Sequence, residues 1–203
     1  MNPEARPRAF LLKAGRLVRD EDGDILDARS SVTLIIAGPK KIVVDTGRED
    51  EAGQVAEALA SYGISTEEID LVINTHDHPD HCGNNRLFTR AQVLSGKVGS
   101  EGWGEVRLKD GYIVAPGVWI METPGHTLDS ISVVCESGRR IVIAGDALPL
   151  AGNYLKWVPP RLHVDREMAM KSMEKIVEVA DLVVPGHDHP FSVLERTRVT
   201  DLG

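Results

Sequence analysis

His76-Asp77-His78-Pro79-Asp80-His81 constrains this chain more than any other stretch. It follows Asp70-Leu71-Val72-Ile73-Asn74-Thr75, an apolar run that reads as a short buried strand. It precedes Cys82-Gly83-Asn84-Asn85, which reads as a turn. A strand end therefore projects three imidazoles and two carboxylates into one small volume. Imidazole nitrogen and carboxylate oxygen are donors that Zn²⁺ and related transition metals take. A loop just past a strand does not alternate its faces. His76 and His78 can grip one ion while Asp80 and His81 turn to a second.

The rest of the chain repeats this theme of apolar runs closed by polar residues. Residues 9–20 read as a first strand, and Glu21-Asp22-Gly23-Asp24 as an acidic turn without the spaced ligands of an EF-hand. Ser31 to Ala37 and Lys41 to Val44 form a hairpin about Gly38-Pro39-Lys40, and the second strand ends in Asp45. Asp45 is either a turn former or a residue that orients a metal-ligating histidine; spacing leaves both open. Glu51 to Tyr62 carries Val55, Ala58, Leu59 and Tyr62 on one face, a helix stopped by Gly63. Ser65 to Glu68 has capping-box spacing for one short turn. After the central motif come a short helix at Asn84 to Arg90 and a strand at Ala91 to Ser95.

Residues 96–111 are rich in glycine around Trp103, a side chain that suits a lid over a site or a small satellite core. Strands follow at Val118–Glu122, closed by Gly125-His126, at Ile131–Cys135, and at Arg140–Ala144, closed by Gly145-Asp146. Asp165 caps a helix running to Ala180 whose Met170, Met173, Ile176, Val177 and Ala180 face inward. Leu182-Val183-Val184 is a last strand, closed by Gly186-His187. Each half of the chain has strands, then a helix, then a strand ending in histidine, which suits two sheets packed face to face with helices outside.

Five of the seven histidines lie just past apolar runs. Buried polar side chains are costly unless paired or metal-bound, so strand ends grouped at one sheet edge point to metal. The order H-x-H-x-D-H, Gly-His, Gly-Asp, Gly-His resembles the metallo-β-lactamase fold superfamily from about Val32 to Phe191. Thr75 to Asn84 and Val179 to His187 are most similar to its metallo-β-lactamase domain-containing proteins, and the glyoxalase II branch shares the same motifs. The resemblance implies an α/β, four-layer αββα sandwich with metals at one sheet edge. It implies His76, His78 and His126 on a first ion, Asp80, His81 and His187 on a second, and Asp146 bridging them. About sixteen residues follow His187, too few for the helical glutathione-binding domain of glyoxalase II-like enzymes, so a single domain over residues 1–203 is expected.

The expected cofactor is two divalent metal ions, zinc by ligand chemistry, with iron or manganese also accepted. The expected activity is that of a binuclear hydrolase. A metal-bridging hydroxide attacks a small ester, thioester or related acyl substrate, and Asp80 is the catalytic group that handles the proton. The competing readings are a phosphodiesterase or RNA endonuclease, a mono-iron persulfide dioxygenase, and a non-catalytic metal scaffold. A net charge of −8 disfavours RNA and favours a small-molecule substrate. No run approaches a membrane span and the polar N-terminus lacks a signal sequence, so a cytoplasmic protein is expected; a homodimer is left open. Cys82 and Cys135 read as reduced thiols, and His163, His189, Tyr154, Lys156 and Trp157 as loop or rim residues without an assigned role.

Overall fold

Alternate residues of Val32–Ala37 turn to opposite sides, and both sides are apolar: Leu34 and Ile36 one way, Ile35 and Ala37 the other. A strand of that kind needs cover on two faces. The computed structural model, which describes residues 6–96 and 108–193, supplies it. The strand is β4 of a five-stranded sheet with β1 (Arg8–Lys13), β5 (Lys40–Val44), β6 (Leu71–Ile73) and β7 (Gln92–Leu94), in the order β1-β4-β5-β6-β7. A six-stranded sheet contains β8 (Ile113–Ala115), β9 (Val118–Glu122), β10 (Ile131–Glu136), β11 (Arg140–Gly145), β12 (Leu182–Pro185) and β13 (Phe191–Ser192), each beside the next.

The sheets face each other across a core that includes Ile35, Ile42 and Ile73 from the first and Ile120, Val133 and Ile143 from the second. Outside the first sheet, Val55 and Leu59 of α1 (Ala52–Ala60) pack on Leu34, Val43 and Val72. Outside the second, Met173 and Ile176 of α4 (Arg166–Val179) pack on Val134, Val142 and Val183. Each such fully buried side chain contributes about 1.5–3 kcal/mol. The layers are thus helix, sheet, sheet, helix, as expected. Asp165 caps α4 as anticipated, its Oδ1 accepting from Met168 N at 2.8 Å.

Strand direction places the polar strand ends together. β5 and β6 are parallel, as are β11 and β12, and β9 runs with β11 because β10 is antiparallel to both. The two sheets also meet by a hydrogen bond from Ile131 N to Thr75 O at 2.9 Å.

Several expectations need correction. Residues 9–20 are not one strand: β1 ends at Lys13, and β2 (Arg16–Arg19) leaves the sheet to pair with β3 (Ile25–Arg29) in a separate hairpin. The break falls at Gly15, which is pressed against the backbone of the His187 loop; a Cβ there would lie 2.3 Å from Gly186 O. The motif at residue 76 was expected to be loop throughout, yet Pro79–Cys82 forms one turn of helix, α2, with Pro79 in the first turn where its missing N–H costs nothing. Asn84 to Arg90 contains only a 3-10 turn at Asn85–Leu87. The loop expected after Asp146 contains α3 (Ala151–Lys156), and β8 was not anticipated. Trp103 and most of its glycine-rich surroundings lie outside the described residues. No helix among the described residues is long and apolar enough to cross a membrane.

Gly15→Ala is expected to lower stability by about 1–3 kcal/mol through overpacking. Gly53→Ala, in α1 with nothing within 4 Å of the added Cβ, should raise it by about 0.5–1 kcal/mol. Urea unfolding midpoints of the two variants measure both; equal shifts would show that Gly15 is not held by close approach.

Candidate metal centre

Five apolar strands deliver the site. Asp45 follows β5, His76 lies just past β6, His126 past β9, Asp146 directly after β11 and His187 past β12. Helix α2 supplies the remaining three ligands: His78 at its N-cap, Asp80 partly buried and His81 completely buried. All seven expected ligands come together. His76 Nε2 stands 2.9 Å from His78 Nδ1, which stands 3.0 Å from His126 Nε2. Tetrahedral donors about 2.0–2.1 Å from one zinc ion would be roughly 3.3 Å apart, so the three nitrogens have the spacing of a shared ligand set. A second trio is Asp80, His81 and His187, with His187 Nε2 3.6 Å and His81 Nε2 4.0 Å from Asp80 Oδ2. Asp146 lies between the trios: its Oδ2 is 3.5 Å from His126 Nε2 and 3.2 Å from His187 Nε2, and its Oδ1 is 3.1 Å from His187 Nε2 and 3.4 Å from His81 Nε2.

The donor set fits metal ions on its own evidence. His81 Nε2 and Asp146 Oδ1 are buried without a hydrogen-bond partner. Burying such atoms unpaired is costly, and a cation between them removes the cost.

The sequence from 27 to 117 and from 114 to 187 matches the model of the metallo-β-lactamase superfamily. The chain belongs to that superfamily. A protein of Methanocaldococcus jannaschii named as a probable metallo-hydrolase is 40% identical, over 88% of this chain and 85% of its own length. Metallo-β-lactamase domain-containing protein 1 of Xenopus laevis is 34% identical, over 88% of this chain and 78% of its own. The crystal structure of a metallo-β-lactamase-type protein from Thermotoga maritima superposes with a TM-score of 0.73 at 23% identity, covering 92% of this chain and 99% of that one. At that identity the likeness bears on the fold.

Within this metallo-β-lactamase domain, hydrogen bonds on the outward ring nitrogens decide which nitrogen each histidine offers. His81 Nδ1 donates to Asp45 Oδ2 at 2.8 Å, His126 Nδ1 to Leu162 O at 2.8 Å and His187 Nδ1 to Arg29 O at 2.9 Å. His76 Nδ1 donates to Thr75 Oγ1 at 3.1 Å, and that hydroxyl donates to Asp45 Oδ2 at 2.9 Å. In this tautomer assignment each Nε2 is left as a bare lone pair aimed at the cluster. Asp45 is therefore both a turn residue, at φ 55°, and the hub that orients two histidines. Gly186 is required beside Asp146, since a Cβ there would lie 2.1 Å from Asp146 Oδ1.

Electrostatics differ between the trios. Burial, reinforced by neighbouring imidazoles, pushes His76 well below the ordinary histidine range and lowers His78 as well. Burial opposes charge at His81 too, but Asp45 and Asp146 outweigh it and hold His81 well above that range. At His187 burial is likewise overcome, by Asp146. Burial works against the Asp146 carboxylate, yet His187 and His81 keep it well below the usual range. A cation shared by Asp146, His81 and His187 meets the same demand that a proton on the imidazoles meets.

The cluster opens into a pocket of about 120 Å³. Leu17, Ile25 and Ala28 of the β2–β3 hairpin form one wall, and Pro149, Pro160 and Leu162 another. The hairpin and the two backbone acceptors, Leu162 O and Arg29 O, were missed in the sequence; only Gly15 hinted that β1 did not continue. The leftover residues stay outside the cluster. His163 Nδ1 is 2.6 Å from Pro160 O, and both His163 and His189 are exposed. Tyr154 stacks on Phe191, Trp157 packs on the α4-side core, and Lys156 is exposed at the end of α3. Cys82 is half-buried, its Sγ donates to Asp77 O at 3.5 Å, and it belongs to no donor group among the described residues.

Asp45→Asn tests the hub, because Asn tolerates a positive φ while removing the charge. Its amide would face His81 Nδ1 with donors and move the imidazole proton to Nε2. Metal affinity is expected to fall about 10–100-fold, measured by competition with a chromophoric chelator. Unchanged affinity would show that Asp45 only shapes the turn.

Proposed function

We propose that this metal-dependent hydrolase of the metallo-β-lactamase superfamily holds two divalent ions and cleaves a small carboxylic ester, thioester or related acyl compound. The observation that carries the reading is the placement of Asp146 between the trios, within 3.5 Å of His126 on one side and of His81 and His187 on the other. His76, His78 and His126 would hold one ion, Asp80, His81 and His187 the other, and Asp146 would serve both. The donors are imidazole and carboxylate without thiolate, which suits zinc and also admits iron or manganese. Bound ions of this kind supply an acidified water at neutral pH and polarise the acyl oxygen.

The chain's own residues supply the rest. Asp80 reaches the pocket with its side chain only 18% exposed, close enough to the cluster to accept the proton of the attacking water. The same carboxyl then delivers that proton to the departing oxygen or sulfur. In balance, the hydroxyl of water joins the acyl carbon, the acyl–O or acyl–S bond breaks, and the hydrogen ends on the leaving group. Leu17, Ile25 and Leu162 hold the apolar part of the substrate and keep bulk water from the reacting carbon. Apolar walls and a net charge of −8 favour a small acyl compound over a nucleic-acid strand.

Purified protein loaded with zinc or manganese should hydrolyse aryl ester and thioester probes. Turnover should vanish on chelation and return with either ion. Asp80→Asn should lower kcat by about 100-fold or more. Faster turnover of bis(4-nitrophenyl) phosphate than of any ester, together with a salt-dependent gel shift on single-stranded RNA, would replace this reading by the phosphodiesterase one. One iron per chain with persulfide-dependent oxygen uptake would replace it by the dioxygenase one.

A further inference from the structure

The hairpin that walls the pocket runs away from the metal cluster. Its inner end is Arg29, whose carbonyl holds His187 Nδ1 at 2.9 Å. From there β3 passes Ala28, opposite Leu17, and reaches Ile25, opposite Arg19. At about 3.3 Å per residue, the hairpin tip is on the order of 10 Å from the cluster. Two cations meet at that tip. Arg19 Nη1 donates to Gly23 O at 2.7 Å, and Arg161 Nη1 donates to the same oxygen at 2.8 Å. Both arginines line the pocket and are its cationic side chains.

Neither arginine pairs directly with a carboxylate, although Glu21, Asp22 and Asp24 belong to the same turn. Arg16, Arg29 and Arg48 nearer the base of the hairpin form ion pairs with carboxylates, whereas Arg19 and Arg161 at its tip form none among the described residues. Asp20, in the same turn, spends its Oδ1 on Asp24 N at 2.7 Å. The pocket's own carboxylates, Asp80 and Asp146, are committed to the histidine cluster. A neutral carbonyl shared by two guanidinium groups, with Asp22 O also accepting from Arg161 Nη2 at 3.5 Å, leaves several N–H donors to solvent and two like charges side by side. An anion between them would meet both needs, because carboxylate and phosphate oxygens match the guanidinium fork. Between this end and the cluster the walls are apolar, with Leu17 and Ile25 facing Pro160 and Leu162.

We propose that Arg19 and Arg161 form an anion subsite at the outer end of the pocket, so that the substrate carries a carboxylate or phosphate on an apolar spacer of roughly six to ten carbons from the bond that is cleaved. The subsite deepens the acyl-hydrolase reading: that reading says which bond breaks, and the arginines say what the other end of the molecule carries.

Calorimetric titration of the metal-loaded protein separates the two claims. Monocarboxylates from hexanoate to decanoate are compared with the dicarboxylates of equal length, adipate to sebacate, and with 8-phosphonooctanoate. In each pair one carboxylate is available to the cluster, so the second charge reports on the arginines. The best dicarboxylate or the phosphonate should bind at least 10-fold tighter than its monocarboxylate. Arg19→Gln and Arg161→Gln should each remove most of that ratio and leave monocarboxylate binding within about 2-fold. A stronger advantage for the phosphonate assigns phosphate as the natural anion, and a stronger advantage for a dicarboxylate assigns carboxylate. A ratio near one for both, or a ratio unchanged in both variants, overturns the subsite.

Kinetics with 4-nitrophenyl octanoate and the 4-nitrophenyl monoester of suberic acid complete the test. An arginine-dependent binding preference without turnover of either ester leaves the subsite standing and removes the hydrolase reading. Equal kcat/KM for both esters, with no binding preference, does the reverse.

Discussion

Each histidine of the cluster except His78 has one ring nitrogen fixed by an acceptor outside the cluster, and the rest of the site depends on that constraint. With Nδ1 committed to Thr75, Asp45, Leu162 O or Arg29 O, the opposite nitrogen faces inward, and in the neutral ring it does so as a lone pair. Lone pairs and carboxylate oxygens crowded within 4.8 Å of one another repel unless a cation sits among them. The fold creates this demand by ending five apolar strands at one edge, and it leaves Asp146 in the place where a single carboxylate faces both groups.

The acceptors also tie the site to the packing around it. Arg29, which offers its carbonyl to His187, anchors its guanidinium on buried Glu51 at 3.2 Å. Glu51 in turn pairs with buried Lys13 of β1 at 3.0 Å and accepts from Arg48 N at 3.0 Å. Removing one partner of a buried pair of this kind costs about 3–5 kcal/mol, because the other charge stays behind. The hairpin is thus held at its base by ions and at its tip by Arg161. Its inward face walls the pocket between those two points.

The layers and the ligands were legible in the sequence for physical reasons. H-x-H-x-D-H keeps four donors within six residues, so chain connectivity alone brings them together. His126, Asp146 and His187 were visible because each lies just past an apolar run, where a polar side chain needs a purpose. The role of Asp45 was not legible, because its partners Thr75 and His81 are some 30 residues away and only the parallel β5–β6 pairing closes that distance. Leu162 O and Arg29 O were invisible in principle, since every residue carries a carbonyl. The hairpin was hidden by β1 and β2 together reading as one run. The signal that divides them, Gly15, acquires meaning only when Gly186 and His187 are brought against it.

Anomalous diffraction from crystals loaded with zinc tests the central claim most directly. The account predicts two peaks about 3.5–4 Å apart. One would be ringed by His76, His78 and His126, the other by Asp80, His81 and His187, with Asp146 between them. A single peak at the three-histidine face with Asp146 turned away from it, or zinc bound elsewhere on the chain, would contradict it.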